Sequence, residues 1–199
     1  MSALLTALNG ELAAAVQRAS RSLVQVRSGR GGGAGPSWHA GGLVITNAHV
    51  VVTQRRSRRG GALEVVLPDG AVLPAQLLAA DPRRDLAALV VRAPDLEPIA
   101  LGDSRRLQPG DWLMAVGHPW GVLGAATAGS VIGVGPSPEL AYRGDLIQVG
   151  LHMRPGHSGG ALVDGTGRLH GINTMIAGPD VGLAVPVHVV ADFLRETMA

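Results

Sequence analysis

The chain has 199 residues, of which 46% are hydrophobic and 16% charged; this excludes a disordered chain and fits one globular unit of ordinary core size or two small barrels sharing an interface. It has no cysteine, which excludes disulfides and thiolate metal sites, and no apolar run reaches the ~18 to 20 residues needed to span a bilayer. The formal charge is only +2 while the sequence pI is near 10.3, because every basic residue is Arg, so the pI overstates any affinity for polyanions.

Met1 to Leu8 has neither the basic start nor the apolar length of a secretory signal, so the chain as written is expected to be neither exported by its own signal nor membrane-anchored. Leu12 to Arg21 reads as an amphipathic helix, with Leu12, Ala15, Val16 and Ala19 on one face. The Gly-rich tract Gly29 to Gly35 reads as a hairpin loop; it lacks the Lys and the strand-to-helix setting of a phosphate cradle. Short β-rich runs follow the helix at Leu23 to Arg27, Gly42 to Thr46, Leu63 to Leu67, Val72 to Ala79 and Leu86 to Val91, separated by turns such as Pro68-Asp69-Gly70 and Asp81-Pro82.

After a Pro-containing connector, Ala93 to Leu107, the pattern resumes at Trp112 to Val116, Ala126 to Val134, Leu146 to Leu151, Gly160 to Val163, Leu169 to Ile176 and Gly182 to Val185. Aromatics make up only 3% of the chain, so Val, Leu, Ile and Ala must build the core. Two sets of short strands imply an all-β protein of two closed antiparallel barrels, since closure removes exposed sheet edges. Val187 to Met198, entered after Pro186, reads as a terminal helix.

Three short segments carry the chemistry. His49 ends the run Leu43 to Asn47, Asp85 opens the buried run Leu86 to Val91, and Ser158 sits in Gly156-His157-Ser158-Gly159-Gly160. A serine hydroxyl is a poor nucleophile at neutral pH, so it needs an imidazole to take its proton and a carboxylate to orient that imidazole. The chain order His, Asp, Ser is that of trypsin-like enzymes and differs from other serine hydrolase folds. Asp81, four residues before Asp85, competes with it for the carboxylate role. The glycines around Ser158 permit the backbone torsions that point amides at a developing oxyanion, with the N–H groups of Gly156 and Ser158, on either side of His157, as donors.

These segments, with Leu67-Pro68-Asp69-Gly70, Asp81 to Ala87, Leu101-Gly102-Asp103-Ser104, Gly117-His118-Pro119-Trp120-Gly121 and Gly171-Ile172-Asn173-Thr174, resemble the trypsin-like serine proteases of the high-temperature-requirement (HtrA/Deg) type over roughly Leu23 to Val190. The resemblance implies two six-stranded antiparallel barrels, one over residues 22–95 and one over 105–186, flanked by a helical segment 1–21 and a terminal helix 187–199 in a single protease domain. It makes Asp81 a turn residue and Asp85 the orienter of His49. The implied function is a serine endopeptidase that acts through an acyl-enzyme, needs no cofactor and cleaves unfolded or damaged protein. A pocket walled by His152, Met153, Arg154 and Pro155 before the nucleophile and by Gly171, Ile172, Asn173, Thr174 and Met175 after it contains no acid, which points to small or medium aliphatic side chains at the cleaved position.

Two departures stand out. The family usually carries Asn or Asp where this chain has His157, so an imidazole there would make the oxyanion geometry pH-sensitive. Only thirteen residues follow Pro186, too few for the PDZ domain of many members. Relatives are often exported and often form trimers, but no segment here identifies an oligomeric contact. One rival reading is a catalytically silent relative that binds peptides in the manner of a chaperone. Another is nucleic-acid binding by Arg55-Arg56-Ser57-Arg58-Arg59, which is not expected because no aromatics interleave to stack bases. His118, His152, His157 and His170 lack a metal-binding spacing, and no metal is expected.

Overall fold

The computed structural model describes residues 3–29, 31–51, 62–93, 96–137, 142 and 144–198. The arginines at 55, 56, 58 and 59 lie outside the described residues. The first barrel is built from β1 (Leu23–Ser28), β2 (Gly31–His39), β3 (Leu43–Thr46), β4 (Leu63–Val66), β5 (Val72–Asp81) and β6 (Leu86–Val91), closed in the order β1-β2-β3-β6-β5-β4. The second uses β7 (Trp112–Gly117), β8 (Ala125–Pro136), β9 (Asp145–Val149), β10 (Ala161–Val163), β11 (Leu169–Gly178) and β12 (Val181–Pro186), closed as β10-β11-β12-β9-β8-β7. Among the described residues the pairings between these strands are antiparallel, as expected, and one isolated bridge, Leu101 to Leu169, is parallel. Helices α1 (Ala3–Arg21) and α3 (Val187–Met198) flank the barrels, and a single turn of helix, α2 (Ala48–Val51), follows β3.

Strand register sets up the site. Thr46 of β3 pairs with Ala87 of β6, so the residues leaving β3 face those entering β6. In the second barrel Ala161 pairs with Ile172, and hydrogen bonds from Asn173 N–H to Gly160 O and from Gly159 N–H to Asn173 O continue that ladder into the loop before β10. The two barrels are joined there directly: Ala34 N–H donates to Ser158 O at 2.8 Å.

The Gly-rich tract corrects the expectation of a loop. Gly31 to Gly35 belong to β2, paired with β1 from Ser28↔Gly31 to Val24↔Gly35. Its glycines serve close approach, because a Cβ on Gly33 would lie 2.4 Å from Ser158 O. The helix α1 also begins nine residues earlier than the amphipathic pattern suggested, since the Ala- and Leu-rich start favours helix without any buried face. Its Leu4, Leu5 and Leu8 are exposed, and burial begins only around Ala15 and Ala19.

Three apolar clusters hold the fold. Val24, Val26, Val44, Leu89 and Val91 fill the first barrel, and Leu113, Val131, Ile147, Val149 and Leu162 fill the second. A third cluster joins Ile45 and Leu86 to Leu169, Ile172, Val190 and Phe193, packing both barrels against α3. With so few aromatics, these β-branched and Leu side chains supply the transfer energy of the fold, roughly 1.5–3 kcal/mol for each one fully buried.

Candidate active site

His49 lies on α2 and Asp85 on the turn into β6. Asp85 Oδ2 sits 2.8 Å from His49 Nδ1, and Oδ1 accepts from His49 N–H at 3.0 Å, so one carboxylate fixes both the ring and its backbone. Asn47 Nδ2 donates to the Asp85 carbonyl at 3.0 Å. From the second barrel, Thr174 Oγ1 donates to Asp85 Oδ2 in a short contact. Sequence reasoning placed Thr174 only in the pocket wall; its donor role joins residues far apart in the chain and has no local signature. Asp81 is turned away from this group, accepting from Arg83 and Arg84 N–H and from the Arg84 side chain.

Ser158 Oγ donates to the Thr174 carbonyl at 3.3 Å. The turn before it is closed by His157 N–H to Arg154 O, with Pro155 at its second position and Gly156 at its third with φ 103°. That is a type II arrangement, which needs a positive φ at the third position. Among the described residues the N–H groups of Gly156 and Ser158 meet no backbone acceptor, whereas the neighbouring amides of His157, Gly159 and Gly160 all donate to carbonyls. Two free amides on one turn are suited to hold an anionic oxygen.

The loop is braced from behind. His118 N–H donates to Gly156 O at 3.0 Å, and a Cβ on Gly156 would meet His118 O and Pro119 Cα at 2.6 Å. The His157 ring is buried and its Nδ1 accepts from Arg154 N–H at 3.1 Å; the reverse contact to Arg154 O, at 3.2 Å, requires the other tautomer. Burial lowers the His157 pKa, opposed by the Arg154 backbone. Burial likewise pushes His118 down to about 4, opposed by the nearby Val24 carbonyl and aided by His157.

A cavity of about 240 Å³ opens beside Ser158, lined by Met153, Arg154, Pro155, His157, Thr174, Met175 and Ile176. Five of the nine residues assigned to the pocket from sequence lie on this wall. The other four have different surroundings. Ile172 is fully buried in the core, and a Cβ on Gly171 would meet Ile147 and Val185 O at 3.0 Å. The Asn173 amide braces the carbonyls of Ala161 and Val116, and His152 pairs with Asp180 at 3.0 Å. No carboxylate lines the cavity, and its Met and Ile side chains are adaptable apolar surface. A larger cavity, about 470 Å³, lies between α1, the turn after β4 and the 118–124 loop, and touches the Ser158 surroundings only through His118.

A second Ser-His-Asp row, Ser104, His188 and Asp145, has no such chemistry. Ser104 is 2% exposed and its Oγ accepts from His188 N–H at 3.2 Å, so it caps the start of α3. No cluster of three or more potential metal ligands occurs among the described residues, and no described helix is long and apolar enough to cross a membrane.

Residues 33–172 match the trypsin-like peptidase domain family. The chain is 41% identical over 143 residues to a probable periplasmic serine endoprotease, DegP-like, of Brucella suis biovar 1 (strain 1330), a match covering 71% of this chain and 27% of that protein. It is 35% identical over 166 residues to the putative serine protease HhoB of Synechocystis sp. (strain ATCC 27184 / PCC 6803 / Kazusa), covering 79% and 38% respectively. The chain thus spans between about a quarter and two fifths of the length of these relatives. Its fold is similar to the HtrA-type protease AlgW solved with a decapeptide, at TM-score 0.83 and 27% identity over 94% of this chain and 67% of that one. The same protease solved with a tripeptide gives TM-score 0.81 at 32% identity, over 92% and 62%. Sequence and fold agree: the chain belongs to the trypsin-like peptidases of the HtrA type.

Proposed function

We propose that this chain is a serine endopeptidase that cleaves unfolded or damaged protein, with His49, Asp85 and Ser158 as its catalytic residues. The observation that carries the reading is the carboxylate of Asp85 gripping both Nδ1 and the backbone N–H of His49, next to a turn that presents two unengaged amides at Ser158. Ser158 Oγ attacks the scissile carbonyl carbon while its proton passes to His49 Nε2, and Asp85 holds Nδ1–H and stabilises the imidazolium. The carbonyl oxygen becomes an oxyanion received by the N–H groups of Gly156 and Ser158. Collapse breaks the C–N bond, His49 protonates the leaving amine, and water then repeats the sequence to release the acid from Ser158. The acid-free cavity favours small or medium aliphatic side chains; the main chain of Asn173 is already paired with Gly159 and Gly160, so further main-chain binding of substrate falls to Thr174 and the residues after it. The peptides bound in the AlgW structures support a polypeptide substrate.

One observation favours a second reading. The Ser158 hydroxyl donates to the Thr174 carbonyl, an engagement that would suit a peptide-binding protein whose serine does not act as a nucleophile. Intact-mass analysis after treatment with a fluorophosphonate, from pH 5.5 to 8.5, separates the two. Stoichiometric labelling of the parent and none of Ser158→Ala is the expected result; a folded parent that stays unlabelled at every pH while binding peptides would establish the second reading.

A further inference from the structure

Asp85 adopts a backbone conformation that side chains rarely take, with φ 47°. Such a residue persists only where its surroundings over-determine it. Its carbonyl is held by Asn47, but the side that leads into it belongs to Arg84.

The Arg84 guanidinium is fixed on three sides. Nε donates to Asp81 Oδ2 at 2.5 Å, at the end of β5, while Asp81 Oδ1 also accepts from Arg83 and Arg84 N–H. On the opposite edge, Nη2 and Nη1 fork onto the two carboxylate oxygens of Glu196 at 2.6 and 3.2 Å. The plane lies over Phe193, with Cζ 5.6 Å from the ring centroid. Phe193 and Glu196 are three residues apart, hence on one face of α3. Two carboxylates on a planar fork define an orientation that one point charge would not. The Arg84 pKa is raised, first by the hydrogen bonds to Glu196 and then by Asp81, against desolvation.

We propose that Arg84, clamped by Glu196 and Phe193 of α3, is a positioning residue that locks the left-handed backbone of Asp85 and thereby aims its carboxylate at His49. The proposal rests on the catalytic roles assigned above to Asp85 and His49. It makes the last turn of α3, far along the chain from every catalytic residue, part of the machinery that sets catalytic geometry.

The test compares the parent with Glu196→Asp, Glu196→Lys, Arg84→Lys and Arg84→Met. Arg195→Gln, which breaks the exposed Arg195–Asp192 pair on the same helix, is the control. The Glu196 side chain is 64% exposed, so its substitution leaves the core intact. Three readouts are taken: kcat and KM on an unfolded fluorogenic protein, the low-field proton resonance of the His49 Nδ1–H hydrogen bond, and Tm. Arg84→Met and Glu196→Lys are expected to lower kcat about tenfold or more, with KM within about twofold, and to broaden or shift the low-field proton. Arg84→Lys keeps the charge without the fork and should fall between, while Glu196→Asp should recover most of the loss seen with Glu196→Lys. A drop in Tm with kcat and the resonance unchanged would reduce the clamp to a structural brace and overturn the proposal. If the parent neither hydrolyses nor takes a fluorophosphonate, the catalytic reading fails by itself, and the resonance still decides whether the clamp sets the Asp85–His49 geometry.

Discussion

Acidification should weaken this protein through His118, and the size of the effect follows from where the ring sits. The residue is 5% exposed, Nδ1 accepts from Gly124 N–H at 3.1 Å, and the ring also neighbours the Val24 carbonyl, with which Nε2 makes no well-formed hydrogen bond. The folded state therefore holds the ring neutral, with its pKa lowered from 6.5 to about 4. That gap corresponds to about 3 kcal/mol of preference for the neutral form. Because the folded pKa is the depressed one, the unfolded chain binds the extra proton first. Stability is full above pH 6.5, falls as pH drops below it, and has lost this contribution by about pH 4. Urea unfolding at pH 7 and pH 4.5 measures it: the parent should lose about 2.5 kcal/mol more between the two than His118→Asn, whose amide oxygen still accepts from Gly124 but does not titrate. His157, also held neutral by burial, leaves the variant a residual slope of the same sign. Identical pH dependence in parent and variant would refute the reasoning.

Thr174→Val keeps the shape of the side chain but leaves Asp85 Oδ2 without its donor from the second barrel. It should cut kcat/KM by roughly 10- to 100-fold, the range for a hydrogen bond to a charged group, and an unchanged value would mean that Thr174 only packs. Gly159→Ala places a Cβ 2.1 Å from Ala34 O and 2.3 Å from Thr46 Oγ1 at φ 77°, so the variant should fail to give a cooperative native melt by circular dichroism. Leu169→Ala empties a fully buried position in the cluster beneath α3, and guanidinium unfolding should show a loss of about 2–5 kcal/mol with little change in m.

Elements bounded by strong punctuation were legible in the sequence. β6 runs from Leu86 to Val91 and α3 from Val187 to Met198 as expected, because a tight turn after Asp81-Pro82 and a proline at 186 mark where each begins. The three segments bearing His49, Asp85 and Ser158 were legible for the same reason, each being a polar break at the edge of an apolar run: His49 after Leu43 to Thr46, Asp85 before Leu86 to Val91, and Ser158 before Ala161 to Val163. β2 was not, since five glycines between 29 and 35 have the composition of a loop; only the packed neighbour, Ser158 O against Gly33, shows why side chains are absent there. Nor could Thr174 be tied to Asp85, or Arg84 to Glu196, because those contacts exist only once β11 and α3 have been folded back onto the first barrel.

The site is divided along a seam. His49 and Asp85 come from the first barrel, Ser158 and Thr174 from the second, and hydrogen bonds such as Ala34 N–H to Ser158 O hold the halves in register. On the function proposed above, a protease directed at loosened chains becomes its own substrate once it loosens. With the catalytic roles proposed above, a copy whose barrels part along this seam separates Ser158 from His49 and falls silent, so any cutting of it must come from an intact neighbour. Self-digestion should therefore be second order in protein concentration.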